Sequence, residues 1–580
     1  MTDSPSASER PSAPDEPSAA GPAVEPGPDL GPDAATDVAA RDVKAAPRDA
    51  APPSAPRPYA YGTQRQGAQP TPTRQYREPW QQWQPRRGEP PAWMAEVRPD
   101  PPARIRTATL WSVVATALLS ALLLRDGLGP NLLIVAVPAA LAAFFAAQAA
   151  GRLPRPWTLV WAVGGLALLA VPALRDAGLP TFLAVVSAAA LGALALGGSR
   201  TWTGVLLGLP GLFGAAGPGT VWALRGLRER AGGTRGRVAP VLRAVAVSVA
   251  LLIVFGALFA SADAAFAEIL GSLTPDVSVS EGPWQVVLFA LGLFGALAAA
   301  HTAASPPRWD RVTVRPGRPR GRTEWALPLI VLNLLFAAFI AVQLVVLLGG
   351  YDKVLTETGL MPAEYARQGF WQLLWVTVLV LVVMVVAVRW APRGGARDGA
   401  LVRTVLGALG MLALVVVAAA LRRMDLYVDA FGLTRLRVSV TAVELWLGLV
   451  IVLMLVAGAT RGRWLPRAVA ASVGAGVLTF GLVSPDALVA ERNVQRYERT
   501  GKIDAEYLRE LSADAVPALD RLPEPLRSCS LRGVFLDLRD GAGDEPWYAT
   551  SLAERGARDL LAERGVRSDV SCPGEYRYQR

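Results

Sequence analysis

Histidine occurs once in this 580-residue chain, as His301, cysteine twice, as Cys529 and Cys572, and lysine only as Lys44, Lys353 and Lys502. So little imidazole and thiolate excludes a convincing His/Cys zinc site or Ser-His-Asp triad, and no metal or cofactor is expected. His301 closes the apolar run LAAAHTAAS and reads as a side chain at an interfacial helix end; catalysis there would need a carboxylate folded beside it. Nucleotide loops are missing too. Gly208, Gly211, Gly214 and Gly217 follow no strand and precede no Lys-Ser/Thr pair, and Thr500-Gly501-Lys502 lacks the upstream glycine of a phosphate loop. The net charge of +10 is almost all arginine, without the basic, aromatic-lined patch that nucleic acid requires.

Apolar sequence is what the chain has in abundance: 52% of residues are hydrophobic, only 18% are charged, and the mean hydropathy is +0.32. These values predict an all-α, polytopic helical membrane protein. Residues 1–103 are rich in Pro, Ala, Ser and Arg, too poor in apolar side chains to offset folding entropy, and are expected to form a disordered cytoplasmic tail. No early apolar stretch follows a charged start, so the first span is expected to serve as the anchor rather than a cleaved signal. A transmembrane domain is expected over 104–486 and a small, mostly helical extracytoplasmic region over 487–580.

Runs of spanning length recur at 107–124, 131–150, 157–174, 180–198, 238–260, 284–305, 325–348, 370–391, 400–421, 440–460 and 465–485, about eleven spans. Trp111, Trp157, Trp284, Trp325, Trp371, Trp390 and Trp464 stand near their ends, where indoles settle at headgroup level. The stretch 201–223 is apolar but broken by Pro210, Pro218 and glycines. Arg225, Arg228, Arg230, Arg235 and Arg237 follow it, so it is expected to be re-entrant or surface-lying, returning to the cytoplasmic side. Arginines then crowd the connections predicted inside, and the loop 261–283 holds Asp263, Glu268, Asp276 and Glu281 with no basic residue. The amino terminus is predicted inside, the carboxyl terminus outside.

One stretch violates this pattern. Arg422 to Arg437, RRMDLYVDAFGLTRLR, is read as a short polar connection carrying Arg422, Arg423, Arg435 and Arg437 on the outer side, where the orientation signal disfavours them. They either pair with Asp425 and Asp429 at helical spacing or offer guanidinium forks to phosphate or carboxylate. Within the spans Glu444 lies about one turn into its helix, where it could partner Arg435 or Arg437; Asn333 and Gln343 read as interhelical hydrogen-bonding groups. Cys529 and Cys572, the only cysteines, both fall in the segment assigned to the oxidising side and are expected to form a disulfide.

FGALFASADAAF (Phe255 to Phe266), EYARQGFWQL (Glu364 to Leu373), RMDLYVDAFGLTRLR (Arg423 to Arg437) and TGKIDAEYLRELSADAVPAL (Thr500 to Leu519), with Asn493, resemble domain-of-unknown-function family 4173, bacterial integral membrane proteins. The resemblance runs from about Thr107 to Pro525. It implies a membrane protein of unestablished activity and marks Ser261, Asp263, Tyr365, Arg367, Arg423, Tyr427, Gly432, Thr434 and Arg437 as matching positions, all in predicted outer loops. Three functions stay open. One is a non-enzymatic protein of the plasma membrane that binds an envelope partner or anionic lipid at its outer face, through Arg367, Arg422, Arg423, Tyr427, Arg435 and Arg437. The second is a permease or flippase, which the scarcity of mid-membrane charge disfavours. The third is a polyprenyl-phosphate-dependent transferase with Asp263 as the base and lipid-linked phosphate on the arginines; its weakness is the first outer loop, RDGLGP, which lacks a sugar-transferase acidic motif. Glu444, the one carboxylate near mid-bilayer, is the other catalytic candidate should the arginines carry no function.

Overall fold

The computed structural model describes residues 99–230, 282–312, 317–349, 362–392, 394–460, 462–540, 546–570 and 572, with the isolated positions Val97, Ser248, Leu251, Phe255, Phe259 and Asp263; over 345–349, 362–370 and 540 it describes the backbone alone. The chain divides into units 1–85 and 86–580, and the first lies outside the described residues, as does nearly all of the tail expected over 1–103. Among the described residues every regular element is a helix. In order they are α1 (Thr107–Leu123), α2 (Asn131–Ala149), α3 (Pro156–Leu169, continued by Val171–Leu174), α4 (Gly178–Gly197), α5 (Trp202–Gly214), α6 (Ala216–Arg230), α7 (Gly282–Ala304), α8 (Arg322–Gly349), α9 (Pro362–Trp390), α10 (Ala396–Phe431), α11 (Arg435–Ala459) and α12 (Leu465–Val483). The carboxyl-terminal region adds α13 (Pro485–Thr500), α14 (Leu526–Asp540) and α15 (Leu552–Glu563).

Helices fill the spans because hydrocarbon leaves a backbone no partner but itself. Nine described helices are long and apolar enough to cross a membrane: α2, α3 with its continuation, α4 and α7 to α12. At 17 residues, α1 stands at the short end of the spanning range. Ten of the expected runs thus coincide with described helices, and the eleventh, 238–260, lies almost wholly outside the described residues. Leu291 on α7 and Leu334 on α8 are 65% and 64% exposed, as side chains facing lipid must be. Small residues let the backbones approach, since lipid supplies no hydrophobic drive between helices. A Cβ on Gly292 would stand 3.1 Å from the Thr116 carbonyl oxygen of α1, and one on Gly219 of α6 only 2.8 Å from that of Leu297.

The connections fall into two sets. At one end Asp310 accepts from the amides of Arg200 and Thr201 at 3.0 and 3.1 Å, Arg467 donates to the Ser199 carbonyl at 3.2 Å, Arg322 pairs with Asp398, and the Arg308 amide meets the Val97 carbonyl at 3.1 Å. At the other, the carboxyl-terminal region meets the α1–α2, α3–α4 and α10–α11 connections. The Asn131 amide donates to the Tyr548 carbonyl at 2.9 Å, the Ala513 amide to Asp176 at 3.1 Å, and the Arg435 amide to the Tyr507 hydroxyl at 2.7 Å. These are the groupings that alternate crossing produces.

The bent pair α5 and α6, turned by 50° at its break, has both ends in the first set. Thr201 caps α5 and donates its hydroxyl to Asp310 at 2.8 Å; Gly211, nearly three turns on, lies against Trp309 of the same short 3-10 turn. Such a helix lies along that end of the bundle. Further on, the Trp222 indole donates to the Ala103 carbonyl at 2.9 Å and packs edge-on to His301, and Arg230 reaches the Ile105 carbonyl. His301 accordingly sits in the last turn of α7, half-buried against an indole.

Most of the arginine-rich stretch is helix, where a connection was expected. RRMDLYVDAF contains no Gly or Pro, so α10 runs on to Phe431 and stops at Gly432, whose φ of 81° suits glycine. Its 36 residues measure about 54 Å against roughly 30 Å of hydrocarbon, so its last turns stand clear of the apolar layer. Only Gly432 to Thr434 connect α10 to α11, where the Thr434 side chain caps the Arg437 amide. Past α12, α13 buries Val489, Ala490 and Val494 against Leu508, Leu519, Leu531 and Leu561 in a separate core.

Candidate functional site

The four arginines of the 422–437 stretch diverge. Arg435 donates Nε and Nη2 to the carboxylate of Asp486 at 2.6 and 2.5 Å, and Nη2 also to the Glu510 carbonyl at 2.8 Å. Arg437 turns back on the Gly432 carbonyl with its guanidinium 4.1 Å above the Tyr427 ring, a cation–π contact. Arg423 donates to the Gln343 amide oxygen at 3.0 Å, and Arg422 is exposed. Among the described residues neither Asp425 nor Asp429 is ion-paired to them. Tyr427 belongs to the Arg437 pair. Asp263 is exposed with its amide on the Phe259 carbonyl at 2.9 Å, and most of its surroundings, like the Arg367 side chain, lie outside the described residues.

Glu444 does not meet Arg435 or Arg437. It is fully buried, faces α9, and accepts from the Thr377 hydroxyl at 3.0 Å through Oε1, while Oε2 has no hydrogen-bond partner among the described residues. The reason is angular: Glu444 shares a face of α11 with the buried Val440, Leu447 and Ile451, turned into the bundle. Asn333 bonds between helices, its amide donating to the Val405 carbonyl at 3.1 Å. The Cys529 and Cys572 sulfurs are within bonding distance, with Cα atoms 5.5 Å apart. Among the described residues no group of three or more His, Cys, Asp or Glu side chains could hold a metal ion.

A cleft of about 670 Å³ opens on the opposite face of α11. Its walls are Leu445 and Leu449 on α11 and Ala475, Gly476 and Phe480 on α12, and across it the Trp446 indole donates to the Ser472 hydroxyl at 3.1 Å. Toward the carboxyl-terminal region the lining becomes polar: Asp425 and Asp429 from α10, and Arg492, Arg496 and Arg499 from α13. Positions 488, 492, 496 and 499 recur at helical spacing, so one stripe of α13 passes from Leu488 to arginine while the opposite stripe fills the core. Arg496 is fixed by three carbonyls, those of Asp429 (3.2 Å), Ala430 (2.7 Å) and Lys502 (3.2 Å). Arg492 and Arg499 are exposed, and neither is ion-paired among the described residues.

Beside this mouth lies a network of carboxylates from distant segments. Asp514 is buried, accepts from Ser484 at 2.8 Å and pairs with Arg175 at 3.5 Å; Asp176 holds the Ala513 amide and Asp486 the Ser512 amide at 2.9 Å. Burial pushes the Asp514 carboxyl up to about 6, helped by the neighbouring Asp176 and opposed by Ser484 and Arg175, and burial likewise raises Asp176. The network joins the α3–α4 connection to the carboxyl-terminal region.

A family model described as a domain of unknown function (DUF4153) matches residues 162–522, well over half of the chain. The chain belongs to this family. No curated protein and no solved structure matches it. The DUF4153 match takes in every residue of the cleft and of the carboxylate network, and ends before Cys529 and Cys572. DUF4153 is a domain of unknown function, the kind of family expected from the sequence, but the matching model is this one and not family 4173.

Proposed function

We propose that this integral membrane protein is a non-enzymatic protein of the cell envelope that holds a membrane phospholipid, acyl chains in the α11–α12 cleft and phosphate at the arginines of α13. The carrying observation is the gradient within one cleft from leucine, alanine and phenylalanine to Arg492 and Arg499. Depth favours holding over transport. The lining residues of α12 run from Ser472 to Val483, about 17 Å of helix, which is near half of a hydrocarbon core of roughly 30 Å. A cleft of that depth accepts a lipid from one leaflet and offers no path across.

The arginine bias of the opposite loop set supports a plasma-membrane orientation with α13 to α15 outside. The finer likeness to family 4173 rests on the quoted segments, one of which forms the α10 side of the mouth.

The test is extraction of the protein with its native lipid and mass spectrometry of what stays bound. Co-purifying phospholipid is expected in the wild type and its loss in the Arg492→Gln, Arg499→Gln double variant; equal lipid in both would overturn the reading.

A further inference from the structure

The mouth holds opposed charges. Asp425 and Asp429, four residues apart on α10, face it from one side, and Arg492 and Arg499 from the other. Both carboxylates are exposed and, among the described residues, neither is ion-paired; Arg496 directs Nε, Nη1 and Nη2 to backbone carbonyls. A headgroup carrying only negative charge would satisfy the arginines while bringing its phosphate beside two carboxylates, which repels it. A headgroup with phosphate and cation in series satisfies both sides.

The cation's type follows from the lining. Quaternary ammonium is recognised by aromatic cages, and the only aromatic lining residues described, Trp446 and Phe480, belong to the spanning helices α11 and α12. Carboxylates instead take hydrogen bonds from a primary ammonium. We infer that the cleft selects a phospholipid whose headgroup carries a primary ammonium, the ethanolamine class, with phosphate on Arg492 and Arg499 and ammonium on Asp425 and Asp429. This rests on the lipid-holding reading above and names its ligand.

The experiment is competition in native mass spectrometry. The full chain, stripped of lipid, is offered equimolar phosphatidylethanolamine and phosphatidylglycerol of identical acyl chains. The wild type is expected to retain the ethanolamine lipid by roughly threefold to fivefold, the yield of one or two exposed ion pairs. Asp425→Asn with Asp429→Asn is expected to abolish the preference while lipid still binds, and thermal melting of this variant checks that it folds. Equal or greater retention of phosphatidylglycerol by the wild type, or an unchanged preference in the folded asparagine variant, would overturn the inference and leave the lipid-holding reading standing. No retention of either lipid by the wild type would overturn both.

Discussion

Arg435, the first residue of α11, grips Asp486, near the start of α13, through both carboxylate oxygens at 2.6 and 2.5 Å. The fork ties the α10–α11 connection to the helix that supplies the cleft arginines, and Asp486 is buried while Arg435 is half exposed. Removing the cation strands a buried carboxylate, at a cost of roughly 1–3 kcal/mol after allowing for solvent at the guanidinium.

Arg435→Ala should therefore lower the melting temperature and speed proteolysis near Thr500, with Arg435→Lys intermediate because a point charge cannot reproduce the fork. Limited proteolysis in detergent measures this. A lysine variant indistinguishable from wild type would show that only the charge matters.

The spans were legible in sequence because hydrocarbon admits little besides apolar helices, and hydropathy reads that directly. The 422–437 stretch was legible as polar but not as helix. Polarity suggested a connection, whereas helix propensity across RRMDLYVDAF carried α10 three turns further. The 488, 492, 496, 499 stripe is visible as periodicity in ALVAERNVQRYERT. Its partner wall on α10 is more than sixty residues earlier, so the cleft itself was not. The same separation hides Asp176 from Asp514, 338 positions apart along the chain, whose meeting depends on how the carboxyl-terminal region docks.

Stability should fall as pH rises from about 4 to 6. The folded Asp514 carboxyl is raised to about 6 from an ordinary 3.8, so in this window the folded state binds the proton that the unfolded state has released. The buried network therefore loses up to about 3 kcal/mol over that window and changes little above it. Asp176, raised by burial, acts in the same direction. Melting at pH 5 should exceed melting at pH 7.5, and Asp514→Asn, which keeps an acceptor for Ser484, should flatten the difference. An unaltered pH profile in Asp514→Asn would assign the effect to other groups.

Cys529 and Cys572 should resist alkylation in native membranes and appear as one bridged peptide pair in unreduced digests. Closing a loop over 43 positions stabilises the carboxyl-terminal region by about 4 kcal/mol on the chain-entropy model, so reduction should lower its melting temperature. Alkylation of both thiols without reductant would place the region on a reducing side.

Reporter fusions at Gly233 and Gly317 should show cytoplasmic activity and a fusion at Arg580 extracytoplasmic activity, given the arginine-rich loop set. An extracytoplasmic Gly233 would make α5 and α6 one broken span and reverse the crossings that follow.

Glu444 is the remaining candidate for chemistry inside the bundle, and its surroundings argue for a packing role. One oxygen takes the Thr377 hydroxyl at 3.0 Å and the other has no partner among the described residues, so a negative charge there would be poorly compensated. Glu444→Gln keeps the acceptor and removes any charge, and should melt at or above the wild type. Thr377→Val, which leaves both oxygens without this donor, should cost about 1–2 kcal/mol. Lipid retention should be unchanged in both, because Glu444 faces α9 and the cleft opens on the other side of α11. Loss of lipid or of an envelope phenotype in Glu444→Gln at normal melting temperature would move the functional site from the cleft to this carboxylate.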